Sequence, residues 1–214
     1  MHYNTPSAGM TGALIFFEGV DGCGKSKQFN LLLEVYKQQG IAYERWREPG
    51  GSLSAEKIRT ILLDKENTDI TPQCETLLYT ASRAITNLQL KPLLEKGQVV
   101  VQDRSYWSTL AYQHARGVPI EDILWLSSFA DCITPLRGYL FRIPYTVVEE
   151  RLRQSGKSLD RLESDPVFTR KVIDAYDALP ALFPESAMVI DGTQDIPTIH
   201  QLILEDQRRL KILR

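Results

Sequence analysis

Gly19-Val20-Asp21-Gly22-Cys23-Gly24-Lys25-Ser26 is the stretch that decides how this chain folds. It matches the pattern G-x-x-x-x-G-K-[ST], follows the apolar run Ala13–Glu18 and opens a helical pattern over Lys25–Gln39, the context such a loop requires. Glycines let the backbone turn its N–H groups inward around phosphate oxygens, and the helix N-terminus adds the positive end of its dipole. A lysine at position 25 reaches the outer phosphates as a mobile cation, and the Ser26 hydroxyl is a magnesium ligand in such a cradle.

Outward from that loop, short apolar runs alternate with longer helical patterns, the rhythm of a parallel sheet covered by helices on both faces. The expected strands are Ala13–Glu18, Tyr43–Arg47, Gln98–Asp103, Gly138–Arg142 and Met188–Asp191. Helices are expected over Lys25–Gln39, Ser54–Leu63, Pro72–Lys96, Ser105–His114, Ile120–Asp131, Tyr145–Gln154, Asp165–Leu179 and Pro197–Leu210. Ligands of such a sheet collect at the carboxyl ends of its strands. In the helix from Pro72, at about 100° per residue, Leu77, Leu78, Ala81, Ala84, Ile85 and Leu88 form one stripe, read as the packing face. Tyr79, Arg83 and Thr86 fall opposite, as either a solvated face or a binding surface with a ring to stack on and a guanidinium to donate.

Composition narrows the field. The 214 residues suffice for one well-buried core, and 43% hydrophobic with 24% charged residues is ordinary for a globular chain. A net charge of −2 gives no general attraction to nucleic acid or anionic lipid, so phosphate must be held by locally placed cations. Cys23, Cys74 and Cys132 show no paired metal spacing and read as reduced thiols, which with the lack of a secretory pattern points to a cytoplasmic location. Residues 1–12 are polar and turn-rich and are expected to be a disordered tail before a single domain over residues 13–214.

A second acidic motif separates the classes that share the cradle. The strand Gln98–Gln102 ends in Asp103-Arg104; the aspartate suits a magnesium ion held through its waters. The cation directly after it suits a grip on a second, anionic substrate, with a structural ion pair as the other reading.

With Asp103-Arg104 in hand, the sequence resembles the thymidylate kinase family from Ala13 onward. The resemblance rests on Phe17-Glu18 with the glycine loop, Arg47-Glu48-Pro49-Gly50-Gly51-Ser52, Leu77 to Arg83, Asp103-Arg104 through Ser108 to Tyr112-Gln113, and Asp160-Arg161-Leu162-Glu163. It implies a three-layer P-loop kinase fold with a five-stranded parallel sheet and a short lid over about residues 151–163. It also implies transfer of the ATP γ-phosphoryl group to dTMP with Mg²⁺, in a homodimer. ATP would lie on Gly19, Val20, Asp21, Gly22, Cys23, Gly24, Lys25, Ser26 and Lys27, with Ser26 and Asp103 at the metal. Arg47 and Arg104 look like the clamp on the acceptor phosphate, and Tyr79 like the ring that stacks on thymine. Arg83 resembles the donor to a pyrimidine carbonyl, and Pro49 a wall of the base pocket. Ser108 and Gln113 sit where the family contacts the base and its surroundings; Tyr112 corresponds to the ring crowding the ribose 2′ position, and Asp21 to the acid near the acceptor sugar. Lys25, Arg104, Arg153 and Arg161 are the expected catalytic cations, the last two on a basic segment that reads either as the lid or as a solvated turn. Four residues depart from the family pattern: Lys27 for a small hydroxyl residue, Thr86 for a histidine, Ser105 for a tyrosine or histidine, and Arg142 for an aspartate. A kinase for dUMP or UMP and a non-catalytic nucleotide-binding paralogue are the other readings.

Overall fold

The computed structural model describes residues 11–155 and 165–213. Its sheet has five parallel strands, β1 (Ala13–Glu18), β2 (Tyr43–Arg47), β3 (Val99–Asp103), β4 (Arg137–Arg142) and β5 (Ala187–Asp191), in the spatial order β2-β3-β1-β4-β5. Every residue of β1 is buried, as befits a central strand with both faces covered. The chain steps to one side of β1 for β3 and to the other for β4, so a crevice opens at the carboxyl end of β1. Register brings Phe17 and Arg47 level with Asp103, so three strand ends meet at one edge.

The two faces of β1 are covered by different helices because successive side chains alternate. Phe17 meets Phe29 of α1 (Lys25–Gln38), ring centroids 5.4 Å apart, while Phe16 points the other way to Tyr106 and Trp107 of α4 (Tyr106–Ala115). Trp107 in turn stacks on Phe183, 4.8 Å away, just past α7 (Pro166–Leu182). A side chain on Gly138 would approach the Trp107 ring to 2.3 Å, so β4 has a glycine where that indole lies flat. On the α1 side, α8 (Ile196–Arg209) is held by a buried polar chain: Tyr36 to Gln207, Gln207 to Tyr139, Tyr139 to Asp206, and Asp206 to Arg137. Each of these groups is satisfied by another, which makes burial of so many polar atoms tolerable.

The remaining helices are α2 (Leu53–Leu63), α3 (Pro72–Glu95), α5 (Ile120–Phe129) and α6 (Tyr145–Ser155). Side chains of Ser52, Thr71, Ser105, Asp165 and Asp195 accept N–H bonds at the starts of α2, α3, α4, α7 and α8, each a cap that fixes where the helix begins. Element boundaries fall within a residue or so of the sequence expectation, except that α7 runs on past Leu179 to Leu182 and α5 stops at Phe129. Of the expected tail, residues 1–10 lie outside the described residues; Gly12 already donates its N–H to Leu94 O at 2.8 Å.

One expectation is reversed. The stripe of Leu77, Leu78, Ala81, Ala84, Ile85 and Leu88 on α3 is not the buried face: Leu77 is 56% and Leu88 75% exposed, whereas Thr76, Thr80, Ser82, Arg83, Thr86 and Asn87 are buried. Local pairing makes this possible. Thr76, Thr80 and Thr86 each donate a hydroxyl to the carbonyl four residues back, and Asn87 donates to Ala130 O at 2.9 Å. Apolar periodicity finds the side of a helix that avoids water and says nothing about what covers it.

Candidate active site at the carboxyl ends of the strands

The glycine loop turns as its sequence requires. Gly19, Gly22 and Gly24 have φ of 137°, 78° and 97°, values that side chains other than glycine rarely adopt, and Gly24 precedes the first turn of α1. Lys25 is buried and directs its ammonium to Asp21 Oδ1 at 3.2 Å. Ser26 and Lys27 are exposed at the mouth of the loop. Arg151 of α6 spans the loop's far side, donating to Gly22 O at 3.1 Å and Gly192 O at 2.9 Å.

Beside the loop, Arg104 follows β3 in a left-handed turn, φ 65°, with its N–H bonded to Phe17 O. That conformation is uncommon for a residue with a Cβ and turns the side chain back across the strand ends. Its guanidinium donates to Asp21 Oδ1, to Ser108 Oγ at 3.3 Å and to Tyr176 OH at 3.4 Å, and lies 5.2 Å from the centre of the Tyr112 ring. Asp21 thus joins Lys25 and Arg104, the two cations that sequence assigns to different substrates. Burial works against the charge on Arg104, and the surrounding Tyr112, Tyr176, Asp21 and Glu18 outweigh it, raising its pKa.

A third cluster lies where β2 ends. Arg83 of α3 is buried, donating from Nε to Glu48 Oε2 at 2.8 Å and from Nη2 to Thr109 Oγ1 at 3.0 Å. Its Nη1 is buried with no hydrogen-bond partner among the described residues. Burial pushes the Glu48 carboxyl above the usual carboxylate range while Arg83 and Gln102 pull it down. Gln102 Nε2 donates both to Glu48 Oε1 at 2.9 Å and to Arg104 O at 3.0 Å, a link from the Arg83 side to the Arg104 turn. At the rim, Glu56 of α2 takes two bonds of 3.0 Å from Arg47 and one from Gly51 N, which hold its carboxyl below the usual range. Gly50 and Gly51 are needed there, since a Cβ would come within 2.4 Å of Glu56 and 2.7 Å of the Trp46 ring respectively.

These groups share a cleft of about 1080 Å³, lined by Asp21 through Lys27 and by Arg47, Pro49, Tyr79, Arg83, Asp103, Arg104, Ser108, Tyr112 and Gln113. Every acceptor-side residue expected from sequence is therefore in one cavity with the glycine loop. Gly19 and Val20 lie behind it, against Phe141 and in the core. Arg153 is exposed on α6 and does not line it; Arg161, with most of the expected lid, lies outside the described residues.

A family model described as Thymidylate kinase matches residues 17–203. The chain belongs to the thymidylate kinase family. Among relatives bearing that name, the one from Caldanaerobacter subterraneus subsp. tengcongensis is 39% identical over 201 residues, 92% of this chain and 95% of its own. Another from Thermosipho africanus is 42% identical over 189 residues, 86% and 92% of the two chains. A third, from Sulfurihydrogenibium sp., is 37% identical over 207 residues, 94% and 100%.

Of the four residues read from sequence as departures, three have local partners. Arg142 is paired with Asp177 of α7 at 2.6 Å, so its charge is answered outside the cleft. Thr86 is buried with its hydroxyl on Ser82 O and Gly50 O. Ser105 caps α4 and donates to Glu18 at 2.6 Å. Lys27 is exposed at the mouth. Sequence reasoning missed Glu18, Glu48, Arg59 and Tyr176. Arg59 lines the cleft and donates to Pro49 O at 2.8 Å; its spacing one turn beyond Glu56 on α2 was the available signal. The oxygen donors expected at the metal fit magnesium in kind: Asp103 Oδ1 is buried with no hydrogen-bond partner among the described residues, and Ser26 is exposed on the same cleft.

Proposed function

We propose that this chain transfers the γ-phosphoryl group of ATP to dTMP, giving dTDP and ADP. The observation that carries this reading is the convergence of Lys25 and Arg104 on Asp21 within one cleft, because in-line transfer needs a triphosphate and an acceptor phosphate gripped side by side. ATP phosphates lie on the glycine loop, with Lys25 at the outer phosphates. The acceptor phosphate lies at Arg104, with Arg47 from the rim. Thymine lies against Tyr79, its carbonyl on Arg83 Nη1, which has no hydrogen-bond partner among the described residues, and Pro49, Ser108 and Gln113 close the pocket. Tyr112, beside the Arg104 guanidinium, crowds the 2′ position and favours deoxyribose.

The acceptor is already an ionised phosphate, so no general base is required. Arg104 and Lys25 act by holding two anions together against their repulsion and by answering the charge that spreads over the moving group. Ser26 and Asp103 would hold a magnesium ion, which would supply further positive charge to the donor phosphates. Arg153 and Arg161 belong to a lid over about residues 151–163 that excludes water from the transfer. Residues 13–214 act as a single domain. We assign the reaction to the cytoplasm, in keeping with three free thiols. A homodimer is supported by the apolar surface left on neighbouring helices: Leu77 and Leu88 of α3, and the stacked Trp125 and Phe129 of α5.

The test is ADP release from MgATP with dTMP, dUMP and UMP in parallel. The reading requires the highest kcat/KM with dTMP; equal turnover of all three, or none, overturns it.

A further inference from the structure

Glu18 ends the most buried strand of the fold, is itself inaccessible to solvent, and has no assigned task. No cation bonds to its carboxylate among the described residues. Three hydroxyls do: Ser105 Oγ donates to Oε1 at 2.6 Å, and Ser108 Oγ and Tyr176 OH reach Oε2 at 2.7 and 3.1 Å. Ser108 Oγ and Tyr176 OH are also 2.9 Å apart, and both accept from Nη1 of Arg104. A hydroxyl has one proton. If Ser108 and Tyr176 give theirs to Glu18, the lone pairs of both oxygens are turned toward the Arg104 guanidinium, and Glu18 directs a cation it does not touch. Burial pushes the Glu18 carboxyl upward, while the three hydroxyls and the charge of Arg104 pull it back toward the ionised form that can accept from all three.

Buried carboxylates are costly and are kept where they are fully bonded. Here the bonds bring three elements together: β1 through Glu18, α4 through Ser105 and Ser108, and α7 through Tyr176. They meet beside the left-handed turn of Arg104, whose guanidinium bonds to two of the three hydroxyls. The departure at Ser105 belongs to the same arrangement, since the hydroxyl standing there both caps α4 and occupies Glu18 Oε1.

We propose that Glu18 and Tyr176 are positioning residues: Tyr176 directly, and Glu18 through the Ser108 and Tyr176 hydroxyls, fix the direction of the Arg104 guanidinium toward the acceptor phosphate. This rests on the assignment of Arg104 as the acceptor clamp. Tyr176→Phe keeps the ring and deletes only the hydroxyl; Glu18→Gln keeps the shape and deletes the charge. Each is measured for acceptor KM, kcat and ATP affinity, with a thermal melt, alongside Arg104→Ala and the double variant. The expected result for Tyr176→Phe is an acceptor kcat/KM lowered about tenfold, the worth of one hydrogen bond at a charged group. ATP affinity stays within about twofold, since the hydroxyl bonds to Glu18, Ser108 and Arg104 and, among the described residues, to none of the glycine loop. Because both residues act on one guanidinium, the double variant is expected to lose less than the product of the two single losses.

Equal loss for ATP and acceptor, a lowered melting temperature with unchanged kinetics, or fully multiplicative losses would each assign these residues a structural role and overturn the proposal. If Arg104→Ala loses acceptor turnover while Tyr176→Phe and Glu18→Gln keep it, the positioning role fails and the clamp stands. If Arg104→Ala itself leaves acceptor kinetics unchanged, the clamp assignment fails and the positioning role with it.

Discussion

Arg83 and Glu48 make a test of whether the base pocket is held by charge. Their side chains are 3% and 5% exposed and bonded at 2.8 Å, so the pair is desolvated almost completely. Glu48→Leu leaves a buried guanidinium whose one remaining hydrogen bond among the described residues is to the Thr109 hydroxyl, and Gln102 without its carboxylate. Breaking one side of such a pair costs about 3–5 kcal/mol. For a chain of this length that corresponds to roughly 6–20 °C in Tm. Replacing both partners, Glu48→Leu with Arg83→Met, removes the stranded charge and returns stability to within about 1 kcal/mol of the starting protein, because apolar replacements of a buried pair are often neutral. Function does not return with it. The double variant has lost the guanidinium that lines the cleft, and its KM for dTMP rises by at least about tenfold while ATP affinity is kept. Urea unfolding of the starting protein, Glu48→Leu, Arg83→Met and the double variant gives the coupling energy, and steady-state kinetics on the same samples gives the pocket's share. A single variant that loses less than about 1 kcal/mol, or a double variant no more stable than the single, would refute the reasoning.

Three further outcomes are expected. Gly138→Ala drives a methyl into the Trp107 ring at 2.3 Å and lowers stability by about 1–3 kcal/mol, measured by thermal melting; an unchanged melt means that the indole is free to move. Asp103→Asn raises the magnesium concentration needed for half-maximal rate with ATP affinity in chelator unchanged, and an unaltered magnesium titration removes Asp103 from the metal site. Tyr112→Ala opens the space beside Arg104 and raises UMP turnover relative to dTMP by about tenfold; constant selectivity means that the ring does not guard the 2′ position.

The strands and the glycine loop were legible because their signals are local: an apolar run, a turn that only glycine permits, a lysine at fixed spacing. Residues of the cleft named from the family blocks were legible for the same reason, each being close in sequence to a motif. The buried face of α3 was not. Its threonines, arginine and asparagine become a packing surface only through their own preceding turns, Glu48 and Ala130 respectively, and of these only the backbone bonds of the threonines are local. Glu18 and Glu48 stood in plain view beside quoted motifs, yet a carboxylate is read as solvated until the fold closes over it. Tyr176 is 72 residues from Arg104, and the hydroxyl that joins them has no signature in the chain between. Arg142 looked out of place on β4 only until Asp177, on another element, supplied its partner.

A structure with thymidylate bound tests the central claim most directly. The account predicts the acceptor phosphate within about 3.2 Å of the Arg104 guanidinium, with the pyrimidine against Tyr79 and a carbonyl on Arg83 Nη1. Thymidylate bound elsewhere in the cleft, with Arg104 still on Asp21, Ser108 and Tyr176 and Arg83 Nη1 still without a hydrogen-bond partner among the described residues, would contradict it.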